Sequence, residues 1–159
     1  MSEKRYKKEQ LVFIGNPSEI EKKELLDFYN KNFPLSQWSE KYFLNYFKND
    51  AIFYAAKEGN KIAGIVCGQE TKPGSRIFII SALAVDVRFR RKGYGRLLLA
   101  KILEEIFGKK SIKMACLHFR ESNKLENFYS KFGFGNHAID GAYSNGEPKH
   151  YMDLKINRR

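Results

Sequence analysis

Ile77-Phe78-Ile79-Ile80-Ser81-Ala82-Leu83-Ala84-Val85-Asp86-Val87, then Arg88-Phe89-Arg90-Arg91-Lys92-Gly93-Tyr94-Gly95-Arg96, then Leu97-Leu98-Leu99-Ala100-Lys101-Ile102-Leu103 form one continuous stretch. Its first part is a β-rich apolar run. Its last part carries Leu98, Leu99, Ile102, Leu103 and Ile106 at helical spacing, and the basic turn between them holds two glycines. The stretch reads as strand, anion-binding turn and helix. Glycine lets the main chain approach a ligand with no Cβ in the way, and the N–H groups and dipole of a helix start favour negative charge. A phosphate or pyrophosphate is therefore the expected occupant of the turn.

Two common phosphate motifs do not fit. A Walker loop needs Gly-Lys-Ser/Thr after a four-residue gap, and a dinucleotide fingerprint needs a third glycine near Leu98, where the helix is apolar. Arg90-x-x-Gly93-x-Gly95 after a strand instead resembles the coenzyme A pyrophosphate loop of the GCN5-related N-acetyltransferases.

Outward from this stretch, Leu11 to Ile14 reads as a short strand. Pro17-Ser18 followed by Glu21 has the form of a capping box opening a helix to about Tyr29, and Pro34 breaks the segment beyond that helix. Ser39 precedes Tyr42, Phe43, Tyr46 and Phe47, an aromatic stripe suited to core packing or to lining a cleft. Ala51 to Ala56 and Lys61 to Glu70 form a hairpin at Gly59-Asn60, and Lys72-Pro73-Gly74-Ser75 leads into the opening stretch. The central helix ends near Gly108. Beyond it come a strand from Ile112 to Phe119, a helix from Asn123 to Phe132 closed by Gly133, and a hairpin of Phe134 to Tyr143 and His150 to Ile156. In this reading Asn123 caps its helix, with Glu126 three residues on.

The order β-α-α-β-β-β-α-β-α-β-β coincides with that family's fold. The resemblance implies a single α/β domain over residues 1–159, with a mixed, mostly antiparallel sheet of about seven strands and helices on both faces. A second motif supports it. Leu117-His118-Phe119-Arg120-Glu121-Ser122-Asn123, then Phe128-Tyr129-Ser130-Lys131-Phe132-Gly133-Phe134, resembles the family's strand, Asn-bearing turn and helix ending in Tyr-x-x-x-Gly-Phe. Within the family the chain is most similar to protein N-terminal acetyltransferases, both the bacterial ribosomal-protein alanine type and the eukaryotic NatE type. Phe33-Pro34 with Trp38-Ser39-Glu40-Lys41-x-Phe43, Leu117 through Phe134, and Tyr143-x-Asn145-Gly146 with Tyr151-Met152-x-Leu154 carry that likeness. The chain departs from the pattern in two places. Tyr129 follows Asn123 by six residues where seven is usual, so either the turn is one residue shorter or Ser122 takes the Asn position; and Val87 stands where a proline is common.

The resemblance implies acetyl-CoA as cofactor and assigns roles. Arg90, Arg91, Lys92, Gly93, Tyr94, Gly95 and Arg96 hold the pyrophosphate, mostly through main-chain N–H groups. The strand edge at Leu83, Ala84 and Val85 pairs with the pantetheine arm, and Asn123 lies in the cofactor-binding turn. Tyr129 is the general acid, since a phenol of pKa about 10 can return a proton to a thiolate. His118, at the carboxyl end of its strand, matches a position held by a catalytic Glu or His, and an imidazole of ordinary pKa about 6.5 suits an acceptor of the amine proton. Tyr143 and Tyr29 are candidates to line a peptide cleft, with Tyr151 a further wall. An α-amine of pKa about 8 is roughly 10% neutral at pH 7, whereas a lysine is under about 0.1% neutral, so a weak base favours an N-terminus.

Composition sets the outer bounds. The 159 residues are 43% hydrophobic, enough for one well-buried core and short for two ordinary domains. No apolar run approaches the roughly 20 residues of a membrane span, and Met1-Ser2-Glu3-Lys4-Arg5-Tyr6-Lys7-Lys8 lacks a signal-peptide core, so a cytoplasmic protein is expected. Cys67 and Cys116 lie in apolar strands without metal or redox spacing and read as buried free thiols. No metal site is expected. Lys plus Arg number 29 against 18 acidic residues, a formal charge of +11. That field attracts polyanions, coenzyme A and nucleic acid included, but the charge is diffuse and carries no base-reading element. The expected activity is acetylation of a protein or peptide N-terminus. A small amine such as a polyamine or aminoglycoside, or a protein Lys, is the alternative acceptor, and a non-catalytic nucleic-acid module the remote one. The scarcity of acidic residues outside the helices argues against a polycationic acceptor.

Overall fold

In the computed structural model the described residues are 11–13, 18–47 and 51–157. Ile14, Pro17, Lys4 to Lys8 and Arg158-Arg159 lie outside them. The elements are β1 (Leu11–Phe13), α1 (Glu19–Asn32), α2 (Glu40–Phe47), β2 (Ile52–Glu58), β3 (Lys61–Glu70), β4 (Ile77–Val85), α3 (Tyr94–Gly108), β5 (Met114–Arg120), α4 (Glu126–Ser130), β6 (Gly135–Ala142) and β7 (Pro148–Lys155), with 3-10 turns at Val87–Phe89 and Glu121–Asn123. This is the element order expected from sequence. Seven strands hydrogen-bond in the order β1-β2-β3-β4-β5-β7-β6. β4 and β5 are parallel, while β1 with β2, β2 with β3, β5 with β7 and β6 with β7 are antiparallel.

The chain divides into two compact units, one of residues up to Gln69 with Ala82–Glu105, the other of Glu70–Ser81 with Ile106 onward. In the first, the Ser18 hydroxyl accepts from the Glu21 N–H and starts α1, as the capping pattern predicts. The Ser39 hydroxyl does the same for the Tyr42 N–H at the start of α2. Asn30 clamps the connecting loop from both sides: its carbonyl accepts from Trp38 N–H at 2.8 Å and its amide donates to Trp38 C=O at 3.1 Å. Leu25, Phe28, Tyr29, Phe43 and Tyr46 of the two helices bury against Phe53, Ala55, Ile65 and Cys67 of β2 and β3. Burial of each large apolar side chain is worth about 1.5–3 kcal/mol. Strand alternation sends Tyr54 to the other face, where its hydroxyl donates to Glu105 of α3 at 2.6 Å. Helices thus cover both faces of these strands.

The second unit is built on β5, parallel to the first half of β4 and antiparallel to β7. Gly133 at φ +94 closes the α4 segment, its N–H bonded to Ser130 C=O. The start of that helix corrects the sequence reading. Asn123 does not cap it; the chain first makes the 3-10 turn Glu121–Asn123, Lys124 then adopts the left-handed conformation at φ 49, and the helix starts at Glu126 with Leu125 as an N-cap that makes no side-chain hydrogen bond. A left-handed residue cannot continue a right-handed helix, so the Asn123/Glu126 box has no helical turn to close.

Candidate active site

In the first unit the glycine turn has the geometry of an anion cradle. Arg90 is extended, Arg91 and Gly93 take φ 63 and φ 85, and α3 begins at Tyr94 with its first internal bond from Leu97 N–H to Gly93 C=O. The N–H groups of Tyr94, Gly95 and Arg96 therefore precede the first N–H that donates within the helix, that of Leu97. A Cβ built on Gly93 would meet nothing within 4 Å, so the space beside that backbone is open. The cationic side chains divide into two sets. Arg90 Nε donates to the Val85 carbonyl at 3.0 Å. Lys92 pairs with Glu58, which also accepts from the hydroxyl of the buried Tyr94 at 2.9 Å. Arg91 and Arg96 are exposed and have no side-chain partner among the described residues. A pyrophosphate fits this turn on three counts: open backbone, helix N–H groups and two uncommitted guanidinium groups.

Leu83, Ala84 and Val85 close β4 half-buried. Behind them a Cβ on Gly64 of β3 would lie 2.8 Å from Ala84 O and 2.8 Å from Leu98 Cδ1. Only glycine lets β3 come that close. Asp86, 1% exposed, anchors the start of the turn: its Oδ1 accepts from Arg88 N–H and Nε, its Oδ2 from Lys31 Nζ at 3.3 Å, and its own N–H reaches Ala63 C=O. Burial alone would raise this carboxyl; the Arg88 and Lys31 hydrogen bonds outweigh it and hold the pKa at about 2.

In the second unit β5 sorts its side chains by parity. Phe119 points to one face, where the buried Tyr129 of α4 packs with ring centroids 5.7 Å apart. His118 points to the other, beside its register partner Tyr151 at 5.5 Å. The Tyr129 ring is 4% exposed, also touches Phe128 and Phe134, and its hydroxyl makes no hydrogen bond among the described residues. Burial pushes its pKa up, so the phenol keeps its proton. His118 is 25% exposed at its side chain and its Nε2 lies 2.8 Å from Asp140 Oδ2. Asn123 is exposed in its 3-10 turn, while the Ser122 N–H donates to Glu147 at 2.8 Å.

Two of the tyrosines expected in a peptide cleft, Tyr143 and Tyr29, occupy different settings. Tyr143 is half-buried under Arg120, whose guanidinium carbon stands 3.8 Å from the ring centroid, and Arg120 is held by Glu147 at 3.0 Å. The Ser122 and Arg120 hydrogen bonds hold the Glu147 carboxyl down at about 2. This knot fixes the β6–β7 hairpin to the end of β5. Tyr29 is a correction: its ring, 4% exposed, stacks on Trp38 at 4.0 Å inside the α1–α2 core. The aromatic stripe buries Phe43 and Tyr46 there as well, while Tyr42 is largely exposed.

Sequence reasoning missed Asp86, Gly64, Arg120, Glu147 and Asp140. Two of these left a trace: a lone glycine within a strand marks close backbone approach, and an Asp two residues before Arg88 suits a side-chain-capped turn. A further pocket of about 230 Å³ is lined by Phe119, Glu121, Lys124, Glu126, Asn127 and His150. Among the described residues, no His, Cys, Asp or Glu group could hold a metal, and no helix is long and apolar enough to cross a membrane. Cys67 and Cys116 are buried free thiols, as expected.

Residues 20–134, drawn from both units, match the model of the Acetyltransferase (GNAT) family. Among solved structures, the chain is similar to the ribosomal-protein-S18-alanine N-acetyltransferase from Escherichia coli, with 21% identity, 94% and 96% of the two chains covered and a TM-score of 0.76. It is similar to Ard1 from Thermoplasma volcanium at 20% identity, 94% and 99% coverage and TM-score 0.74. It also resembles an aminoglycoside 6'-N-acetyltransferase complexed with coenzyme A at 15% identity, 94% and 98% coverage and TM-score 0.73. No curated protein matches the sequence at a significant level.

Proposed function

The chain belongs to the acetyltransferase (GNAT) family and is an acetyl-CoA-dependent N-acetyltransferase, and we propose that its acceptor is the α-amine at the N-terminus of a peptide or protein. Bound acetyl-CoA supplies an activated acetyl group and a thiolate leaving group. The N–H groups of Tyr94, Gly95 and Arg96, with the exposed Arg91 and Arg96 side chains, hold the pyrophosphate, and the β4 edge at Leu83 to Val85 lines the pantetheine arm. Tyr129, which burial keeps protonated, donates its phenolic proton to the leaving sulfur. His118, on the opposite face of β5, accepts the proton of the amine. Acid and base then serve different reactants from different faces of one strand. Tyr143, fixed by Arg120, forms a wall of the acceptor site, and Asn123 supports the cofactor from its exposed turn.

The observation that carries the α-amine reading is the partly exposed His118 imidazole, whose Nε2 is held by Asp140 at the carboxyl end of β5. An imidazole is a weak base, sufficient for an amine already partly neutral at pH 7 and poorly matched to lysine. Likeness in the Trp38 and Tyr143 segments supports the same choice. The names of the structural neighbours include both protein and aminoglycoside acetyltransferases. A small-amine acceptor finds support in Glu121 and Glu126, two carboxylates lining one pocket.

Incubation with acetyl-CoA and a panel of N-terminally free peptides, N-terminally blocked Lys peptides and small amines decides between them. Mass spectrometry should place acetyl on peptide α-amines. Modification confined to small amines or to Lys side chains overturns the proposal while leaving the acetyl-transfer chemistry intact.

A further inference from the structure

Asp140 belongs to no motif in the sequence, yet it is the only described side chain hydrogen-bonded to His118, with Nε2 to Oδ2 at 2.8 Å. The contact spans three strands. His118 of β5 and Ala138 of β6 are both in register with Tyr151 of β7, and the β6–β7 register shifts between Ile139 and Ala142. Irregularities of this kind re-aim a side chain, and here Asp140 reaches across β7 to the imidazole. Tyr151, between them, is itself fixed: its hydroxyl donates to the buried Asp153, which also accepts from Asn136 Nδ2, each at 2.8 Å.

A carboxylate only accepts, so the hydrogen of this bond sits on His118 Nε2, and a neutral ring has its lone pair at Nδ1. We infer that Asp140 is a positioning residue for acetyl transfer, holding His118 in the Nε2–H tautomer so that Nδ1 receives the proton of the acceptor amine. This rests on His118 acting as the base. Asp140 is 64% exposed at its side chain, so solvent screens the pair and the effect is moderate.

The experiment is a double-mutant cycle in the full chain, with acetyl-CoA and whichever acceptor of the panel the wild type acetylates best. His118→Ala should lower kcat by about 10² or more, in the usual range of general acid–base catalysis. Asp140→Ala should lower kcat about tenfold with KM for both substrates unchanged, Asp140→Glu should restore part of it, and Asp140→Ala should cost nothing further in the His118→Ala background. Nitrogen-15 NMR at a pH where the ring is neutral should show His118 Nδ1 as the unprotonated nitrogen. Wild-type kcat in Asp140→Ala beside an impaired His118→Ala overturns the role of Asp140 alone. Equal losses in both backgrounds make Asp140 merely structural, and a hydrogen on Nδ1 contradicts the assigned tautomer. Full activity in His118→Ala removes the base itself, and with it this inference.

Discussion

Gly93 offers the sharpest test of the cofactor site, because strain and charge can be separated there. Its φ of +85 is costly for any residue with a Cβ, while nothing lies within 4 Å of the position such an atom would take. Gly93→Ala therefore adds backbone strain of about 1–2 kcal/mol and no clash. In a chain of this size that lowers Tm by roughly 2 to 8 °C. Gly93→Asp adds the same strain plus one negative charge beside the proposed pyrophosphate. At about 5 Å, a unit charge pair interacts by roughly 1 kcal/mol in water and 3 kcal/mol at an effective dielectric of 20. The aspartate should thus weaken acetyl-CoA binding a further 5- to 150-fold relative to alanine. Calorimetric titration of Gly93→Ala, Gly93→Asp and the remote control Lys23→Ala reads this directly, and raising ionic strength should narrow the Ala/Asp gap. Equal affinity of Gly93→Asp and Lys23→Ala would refute the assignment of the turn.

Three further outcomes are expected. Tyr129→Phe should cut kcat by about 10² or more with little change in acetyl-CoA affinity, since it removes only a proton donor; undiminished turnover would return Tyr129 to a packing role. Gly64→Ala should destabilise the fold by about 1–3 kcal/mol in urea unfolding, because its Cβ meets the Ala84 carbonyl at 2.8 Å and backbone cannot rotate aside; wild-type stability would mean that β3 and β4 yield there. The depressed pKa of Asp86 contributes stability that is full above the ordinary carboxylate range and lost as pH falls toward about 2. After discounting for its exposed cationic partners this is worth about 1–2 kcal/mol, so the stability gap between wild type and Asp86→Asn should shrink between pH 5 and pH 3, and a constant gap would contradict it.

What was legible in the sequence was local or periodic. The Ser18 cap, the Gly59 hairpin and the α3 start at the glycine turn each depend on neighbours a few residues apart, and each formed as read. The departures arise where a distant partner or an unusual backbone angle decides. Lys124 turned left-handed and moved the α4 start to Glu126, which no propensity of lysine foretells. Tyr29 has the residue type of a cleft wall, but Trp38, returned by the Asn30 clamp, covers it. His118 could be placed at a strand end from sequence alone. Its partner could not, since Asp140 reaches it through a shifted register two strands away.

The Asn30 clamp also determines what can be seen of folding. Trp38 is the sole tryptophan of the chain and is stacked on Tyr29, with Tyr42 and Tyr46 at 5.1 and 5.2 Å. Its emission, fed by energy transfer from those phenols, reports on the α1–α2 cluster and is blind to the β5–β7 half of the molecule. A denaturation curve followed by fluorescence is therefore a local measurement, whereas far-ultraviolet circular dichroism averages over every helix and strand. Coincident midpoints would make the two units one cooperative structure, and separated midpoints would reveal a half-folded enzyme whose glycine turn melts independently of His118 and Tyr129.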